Sequence, residues 1–291
     1  MDDNKAKPED IRHEIERIDE RIHEDLIHRA ELMSRLESSR PKGNARIDPA
    51  IEAEMLHRLA LRHRGQIPVA AFLRLWREIV CLPLDSDSAA MSVAVYAPND
   101  GPGLWDLARD HFGGFVNLIG ADSPIATIRL MGENNVQAVV VPWPLDEDRD
   151  AWWPNLSGAQ EDRPRIVARL PVFSGGNARA EEQDALVIAW AESARTGHDR
   201  TLIVLEMSDD VSRGRLAGLI KKADLNLVRF HDTRRRSGGN DVSILIEVEG
   251  FVERTDARFK KLAEILGDAC VAVGIIGTYP LPEMFGVKNK E

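Results

Sequence analysis

The chain has few of the residues that staple a small fold together. Among 291 residues there are two cysteines, Cys81 and Cys270. They lie far apart and form no CxxC pair, which excludes a disulfide framework and a thiolate metal centre. They read as ordinary buried thiols of a reducing compartment. The histidines show no ligand spacing: His57 and His63 are six apart rather than four, so they share no metal-binding helix face. No metal and no cofactor is assigned. Positive charge is also in deficit. A net charge of -10 argues against nonspecific nucleic-acid binding. No apolar run approaches the ~20 residues of a membrane span. The opening MDDNKAKPED has no apolar core, so neither a signal peptide nor a membrane contact is expected, and the expected location is cytoplasmic. Repeats and low-complexity segments are missing too. What is present, 43% hydrophobic and 30% charged residues, fits a soluble globular protein, and the length suits two or three domains.

The first third reads as helix. Ile11, Ile15, Ile18, Ile22, Leu26, Leu32 or Met33, and Leu36 recur at helical spacing. The helix is expected to open near Pro8-Glu9-Asp10, where acids favour the first turn, and to end near Arg40, ahead of Pro41. Asp48 reads as an N-cap with Pro49 at the first helical position. That second helix runs to about His63, and a third covers Val69 to Leu82. Pro83 and the acidic, Ser-rich stretch after it form a linker.

From Met91 the pattern changes to α/β. MSVAVYAP and VQAVVVPWP read as buried strands, Leu104 to Phe112 as a helix, and PRIVARLPVF and DALVIAWA as further strands. The Gly-rich turn 101–103 reads as a structural turn ahead of an anion site. Trp143, Trp152 and Trp153 either line a pocket or fill a core, and packing is favoured for rings of that size. The last third gives TLIVLEM as strand, Ser212 to Lys222 as helix, LNLVRFHDTRR and VSILIEVEG as strands around a turn, Thr255 to Leu266 as helix and CVAVGIIGTYP as strand. The order βαββαβ is that of a ferredoxin-like sandwich.

The long helix carries a candidate site. Arg29 and Arg40 are 11 residues apart, three turns plus about 20°, so they share a face roughly 16 Å apart. Two such side chains fit a small dianion between them. Arg12 lies 17 residues before Arg29, roughly 25 Å away along the axis, and reaches that ligand only from a second subunit whose helix runs antiparallel. The apolar stripe needs a partner as well. Arg17, Arg21 and Arg35 share the helix, so on charge alone three solvated arginines remain the simpler reading.

Arg12 in IRHEIERID, Arg29 in LIHRAEL and the segment DPAIEAEML resemble the all-helical chorismate mutase family, over residues 8–82. The family's own acidic motif is Asp-Pro-x-Arg-Glu-Ala-Glu. The resemblance implies that Arg29 and a second chain's Arg12 bind the two carboxylates of chorismate. It places Arg40 where the family has a lysine contacting a carboxylate and the ether oxygen, and Asp48 and Glu52 where it binds the ring hydroxyl. Three positions depart: Ile51 replaces the motif's arginine, Pro83 replaces a hydroxyl residue, and Asp87 falls near a second ether-oxygen donor. Lys42 is a candidate replacement cation. The implied reaction, chorismate to prephenate, is a unimolecular rearrangement that needs orientation and stabilisation of a developing oxyanion, with no nucleophile or metal.

VAVYAPNDGPGLWDLARDHFG and VQAVVVPWP resemble parts of prephenate dehydratase, but its Thr-Arg-Phe is replaced by Asp184-Ala185-Leu186 and most of a second lobe is missing. Dehydratase activity is therefore not expected. DLNL at 224–227 and IGTYP at 276–280 resemble the ACT domain of the bifunctional mutase–dehydratase. Its ligand segments are altered, leaving Arg213, Arg215 and Arg234 as candidates for an amino-acid effector's carboxylate. A domain kept only for dimerisation is the alternative. The expectation is a multidomain chain: a dimeric all-α mutase-like domain at 1–88, a degenerate dehydratase-like α/β segment at 89–195, and an α+β ferredoxin-like ACT domain at 196–291. The expected activity is isomerisation of chorismate in phenylalanine and tyrosine biosynthesis, in a homodimer. The alternative is a non-catalytic regulatory or scaffold protein binding an aromatic metabolite or a partner enzyme.

Overall fold

The computed structural model describes residues 7–39, 49–82, 91–98, 102–132, 136–144, 151–157, 163–172, 184–191, 193, 195–208, 211–235 and 242–282, with the backbone alone at 49, 50, 234 and 235. Three helices open the chain: α1 (Pro8–Ser38), α2 (Pro49–Arg62) and α3 (Val69–Cys81). Pro8, Glu9 and Asp10 occupy the first turn of α1, as expected. α1 contains no buried residue. At 1.5 Å per residue its 31 residues reach about 46 Å. α2 and α3 close on each other through Ala53, Leu56 and Leu73, with Phe72 and Trp76 stacked beside them.

The rest builds on one nine-stranded sheet. Its strands are β1 (Ser92–Tyr96), β2 (Asn117–Ala121), β3 (Val136–Pro142), β4 (Arg165–Leu170), β5 (Ala185–Ala189), β6 (Asp199–Met207), β7 (Leu227–Arg235), β8 (Val242–Glu249) and β9 (Cys270–Pro280). They lie in the order β2-β1-β3-β5-β4-β9-β6-β8-β7. Between them run α4 (Trp105–Phe112), α5 (Pro124–Arg129), α6 (Arg213–Lys222) and α7 (Ala257–Leu266). β2 and α5 were not anticipated from the sequence. NLIGA is half exposed, has an interior glycine, and carries little strand signal of its own. It is held by parallel pairing to β1 from Ser92↔Asn117 to Tyr96↔Ala121.

Side-chain alternation divides the core. Val93 and Val95 of β1 face the cluster that holds Leu107 and Phe112 of α4, whereas Ala94 faces the opposite one. In β6, Ile203 and Leu205 meet Leu216 and Ile220 of α6 and Leu262 of α7, whereas Leu202 and Val204 face Trp152, Trp153 and Tyr279. Trp143, Trp152 and Trp153 are all buried, and Trp153 Nε1 donates to Asp232 Oδ2 of β7 at 2.9 Å.

The strand order β9-β6-β8-β7, with α6 and α7 as crossovers, is the ferredoxin-like arrangement the sequence called for. It is not a separate body. β4 pairs with β9 at Ile166↔Gly277, and a single core cluster contains Ile166, Leu186 and Val139 from one side and Leu202, Leu245 and Tyr279 from the other. The expected boundary near residue 196 therefore falls inside a continuous sheet. The join requires glycine: a Cβ at position 277 would lie 2.2 Å from the carbonyl oxygen of Ile166. A second glycine is fixed by a turn. Gly103 has φ +54, and a Cβ there would meet the Tyr96 carbonyl oxygen at 2.5 Å, which accounts for this residue of the Gly-rich turn without a ligand.

Candidate active site

Arg29 sits on the partly buried side of α1, with Leu26, Ala30, Met33 and Glu37. Its Nη1 donates to the carbonyl oxygen of Ile79, near the C-terminal end of α3, at 3.2 Å. The side chain is half-buried, and burial lowers its pKa from the ordinary value. A guanidinium has five N–H donors. Here it meets one backbone oxygen and no carboxylate among the described residues. The desolvation of the charge is thus not offset by a counter-ion among the described residues.

Arg12 lies exposed in the first turns of the same helix. At helical rise the two are roughly 25 Å apart, so one chain does not bring them together. Arg40, Lys42, Asp48, Pro83 and Asp87 lie outside the described residues. Ile51, at the altered position of the acidic motif, is 58% exposed on α2.

Glu52 carries an ion pair that the sequence did not suggest. Its Oε1 lies 2.6 Å from Nη1 of Arg77 on α3, as a direct ion pair without an aligned hydrogen bond on that oxygen. Arg77 also donates through Nη1 to Nδ1 of His111 on α4, at 2.8 Å. Burial and then the charge of Arg77 hold the His111 pKa well below its usual value, so the ring is neutral and Nδ1 is the acceptor. Beside these, Arg74 pairs with Asp110 at 3.3 Å, and the amide of Gly114 donates to Oε2 of Glu78 at 2.9 Å. Positions 74, 77 and 78 are three and four apart and share one face of α3. That face fastens the helical hairpin to the end of α4. The thiol of Cys81 lies close by. Burial, then the charge of Glu52, push its pKa up to about 12. Both cysteines are half-buried rather than fully enclosed. No contact joins Arg29 to Glu52 among the described residues.

Sequence reasoning missed Arg77. The available signal was a charge on an apolar stripe: Arg77 follows Leu73 by four residues, and these two are the buried residues of α3.

Residues 11–82 match the family model described as chorismate mutase type II. This segment is a chorismate mutase type II domain. The match runs from Ile11, within α1, through α2 and α3 to Leu82, and includes Arg12, Arg29, Glu52 and Arg77. No curated protein matches the sequence. Three solved structures are similar to the chain carrying the mutase domain. A prephenate dehydratase from Arthrobacter aurescens in complex with L-Phe has 12% identity, with 67% of this chain and 91% of that one covered and a TM-score of 0.49. A quorum-quenching acylase, GqqA, has 13% identity over 65% of this chain and 94% of its own, with a TM-score of 0.48. A prephenate dehydratase from Streptococcus mutans has 12% identity over 66% and 98%, with a TM-score of 0.46.

Beyond the mutase domain, two of the candidate effector arginines lie in the first turn of α6. Arg213 opens α6, exposed, with its guanidinium 5.9 Å from the centre of the Phe230 ring. Arg215 is exposed, and its backbone amide is capped by Ser212 Oγ. The Arg234 side chain lies outside the description. Asp184 pairs with Arg169 at 2.7 Å, and Ala185 and Leu186 after it are fully buried in β5. Among the described residues no three His, Cys, Asp or Glu side chains gather as a metal site, and no helix is long and apolar enough to cross a membrane.

Proposed function

We propose that the mutase domain isomerises chorismate to prephenate, for phenylalanine and tyrosine biosynthesis, in a homodimer built on α1. The observation that carries this reading is Arg29: a half-buried cation with donors to spare and no counter-ion among the described residues. A small dicarboxylate supplies the missing charge. α1 supports the dimer. Positions 11, 15, 18, 22, 25, 29, 32 and 36 follow the alternating 4-3 spacing of a coiled-coil seam, and Ile11, Ile15, Ile18, Ile22, Leu32 and Leu36 all stand exposed. Arg29 falls at a seam position at the edge of the body, where one of its donors meets the Ile79 carbonyl and the others are left for a ligand. An antiparallel second helix brings Arg12 of the partner subunit to the same ligand. Arg40 stabilises charge on the breaking ether oxygen, Glu52 and Asp48 accept from the ring hydroxyl, and Lys42 supplements the cationic wall. Dehydratase chemistry is not part of the proposal, because Asp184, Ala185 and Leu186 supply neither the hydroxyl nor the guanidinium of that site. Arg213, Arg215 and Arg234 remain candidates for an effector carboxylate.

The test follows chorismate loss by absorbance, with Arg29→Ala as control. Turnover is expected in the parent, with a loss of about 100-fold or more in the variant. Mixing Arg12→Ala with Arg29→Ala subunits restores one competent site per mixed dimer. No recovery on mixing refutes the shared site. One observation favours a second reading. Ile51 offers no cation at the acidic motif, which suits a protein that holds an aromatic metabolite without converting it. No turnover, together with a chorismate-dependent rise in melting temperature, decides for that reading.

A further inference from the structure

Arg77 is almost fully enclosed, at 5% exposure, in a position where an arginine needs a reason. It touches Glu52 of α2 at 2.6 Å and His111 of α4 at 2.8 Å, with the His111 carbonyl oxygen at 3.4 Å. Glu52 belongs to the mutase domain and His111 to the α/β region, so one side chain spans both. Its partner His111 is neutral and takes a proton-donor contact without competing for charge, which leaves the guanidinium charge directed at Glu52. The consequence for Glu52 is geometric. Oε1 is completely buried, while the side chain as a whole keeps 22% exposure. One oxygen is therefore held by Arg77 and the accessible part of the carboxylate is left for a ligand. A glutamate on a helix surface otherwise samples several rotamers.

Resting on the mutase reading above, we infer that Arg77 is a positioning residue for Glu52, and that His111 anchors Arg77, so that turnover in the mutase domain depends on the docked α/β region. Lysine replaces this arrangement only in part, since it brings the charge on a flexible stem without the rigid planar group that fixes where Nη1 lies. Misplacement of a ligand-contacting group by about 1 Å costs on the order of 100-fold in rate.

The experiment uses the full chain and measures kcat and KM for chorismate in the parent, Arg77→Met, Arg77→Lys, Glu52→Gln and the Glu52→Gln/Arg77→Met double variant. Arg77→Met is expected to lower kcat by roughly 10- to 100-fold with a smaller change in KM, and Arg77→Lys to recover part of that loss. In the Glu52→Gln background the same Arg77→Met change is expected to cost less than about twofold, because the group it orients is already disabled. Arg77→Lys, and His111→Gln with its acceptor kept, serve if Arg77→Met does not fold. For both, circular dichroism matching the parent and a kcat loss that vanishes in the Glu52→Gln background support the inference. Equal losses in the two backgrounds reduce Arg77 to a structural ion pair and overturn it, as does full activity in Arg77→Met. A parent without turnover overturns the mutase reading itself, an outcome distinct from an active parent with an indifferent Arg77.

Discussion

Replacing Gly277 by alanine tests whether the two halves of the sheet are one folding unit. An added Cβ would stand 2.2 Å from the carbonyl oxygen of Ile166 and 2.5 Å from both its amide nitrogen and its Cβ. Two of those three atoms are backbone, so no rotamer change relieves the clash. Ordinary overpacking costs about 1–3 kcal/mol where side chains can adjust. Here relief means moving β4 away from β9 at Ile166↔Gly277, their single register pair. That movement loosens a cluster in which Ile166, Leu202 and Ile276 are all nearly unexposed. Partial exposure of even one such side chain adds about 1 kcal/mol or more, from the roughly 1.5–3 kcal/mol that its full burial contributes. The expected destabilisation is about 3 kcal/mol or more. Urea unfolding of Gly277→Ala, followed by tryptophan fluorescence and far-ultraviolet circular dichroism in parallel, reads both consequences. Trp143, Trp152 and Trp153 lie in the shared cluster, so fluorescence reports the junction. A lower midpoint with non-coincident transitions is expected. A variant within about 1 kcal/mol of the parent, with the two probes superimposed, refutes the argument that this contact unites the sheet.

Gly218→Ala is the converse: position 218 lies inside α6 with nothing within 4 Å of the added Cβ, so a stabilisation of up to about 1 kcal/mol is expected in the same assay. Burial pushes the Glu247 carboxyl up, but hydrogen bonds from His231 and Tyr279 outweigh it and leave its pKa below the ordinary 4.5. A depressed folded pKa stabilises fully above the unfolded value and fades as pH falls through the folded one. Stability is therefore expected to drop below pH 4.5, with a flatter profile in Glu247→Gln; identical slopes in the two proteins count against this. With its thiol near 12, Cys81 is about 1 part in 10⁴ thiolate at pH 8, so native protein should react with iodoacetamide far more slowly there than urea-unfolded protein. Ile18→Asp puts a charge in the exposed α1 seam and should shift sedimentation from dimer to monomer, whereas an unchanged sedimentation coefficient removes α1 as the interface.

The local elements were legible because each has its own period. The apolar spacing from Ile11 to Leu36, Pro49 at the start of α2, and the βαββαβ order of the last third all appear where the sequence places them. Arg29 was legible as a candidate through the family resemblance, while helical rise fixed its distance from Arg12. Three things depended on tertiary structure. Glu52 is engaged by Arg77, and Arg77 by His111, 25 and 34 residues further along the chain. No periodicity reports a contact between side chains on different elements. The half-exposed β2 became a strand only through its neighbour β1. The expected division at residue 196 vanished into a continuous sheet because one glycine lets β4 and β9 approach more closely than any Cβ permits. Sequence sets what each segment can form by itself, through backbone preference and the spacing of apolar residues. Which polar groups share a buried space is decided by packing, because only there does the cost of an unpaired charge select its partner.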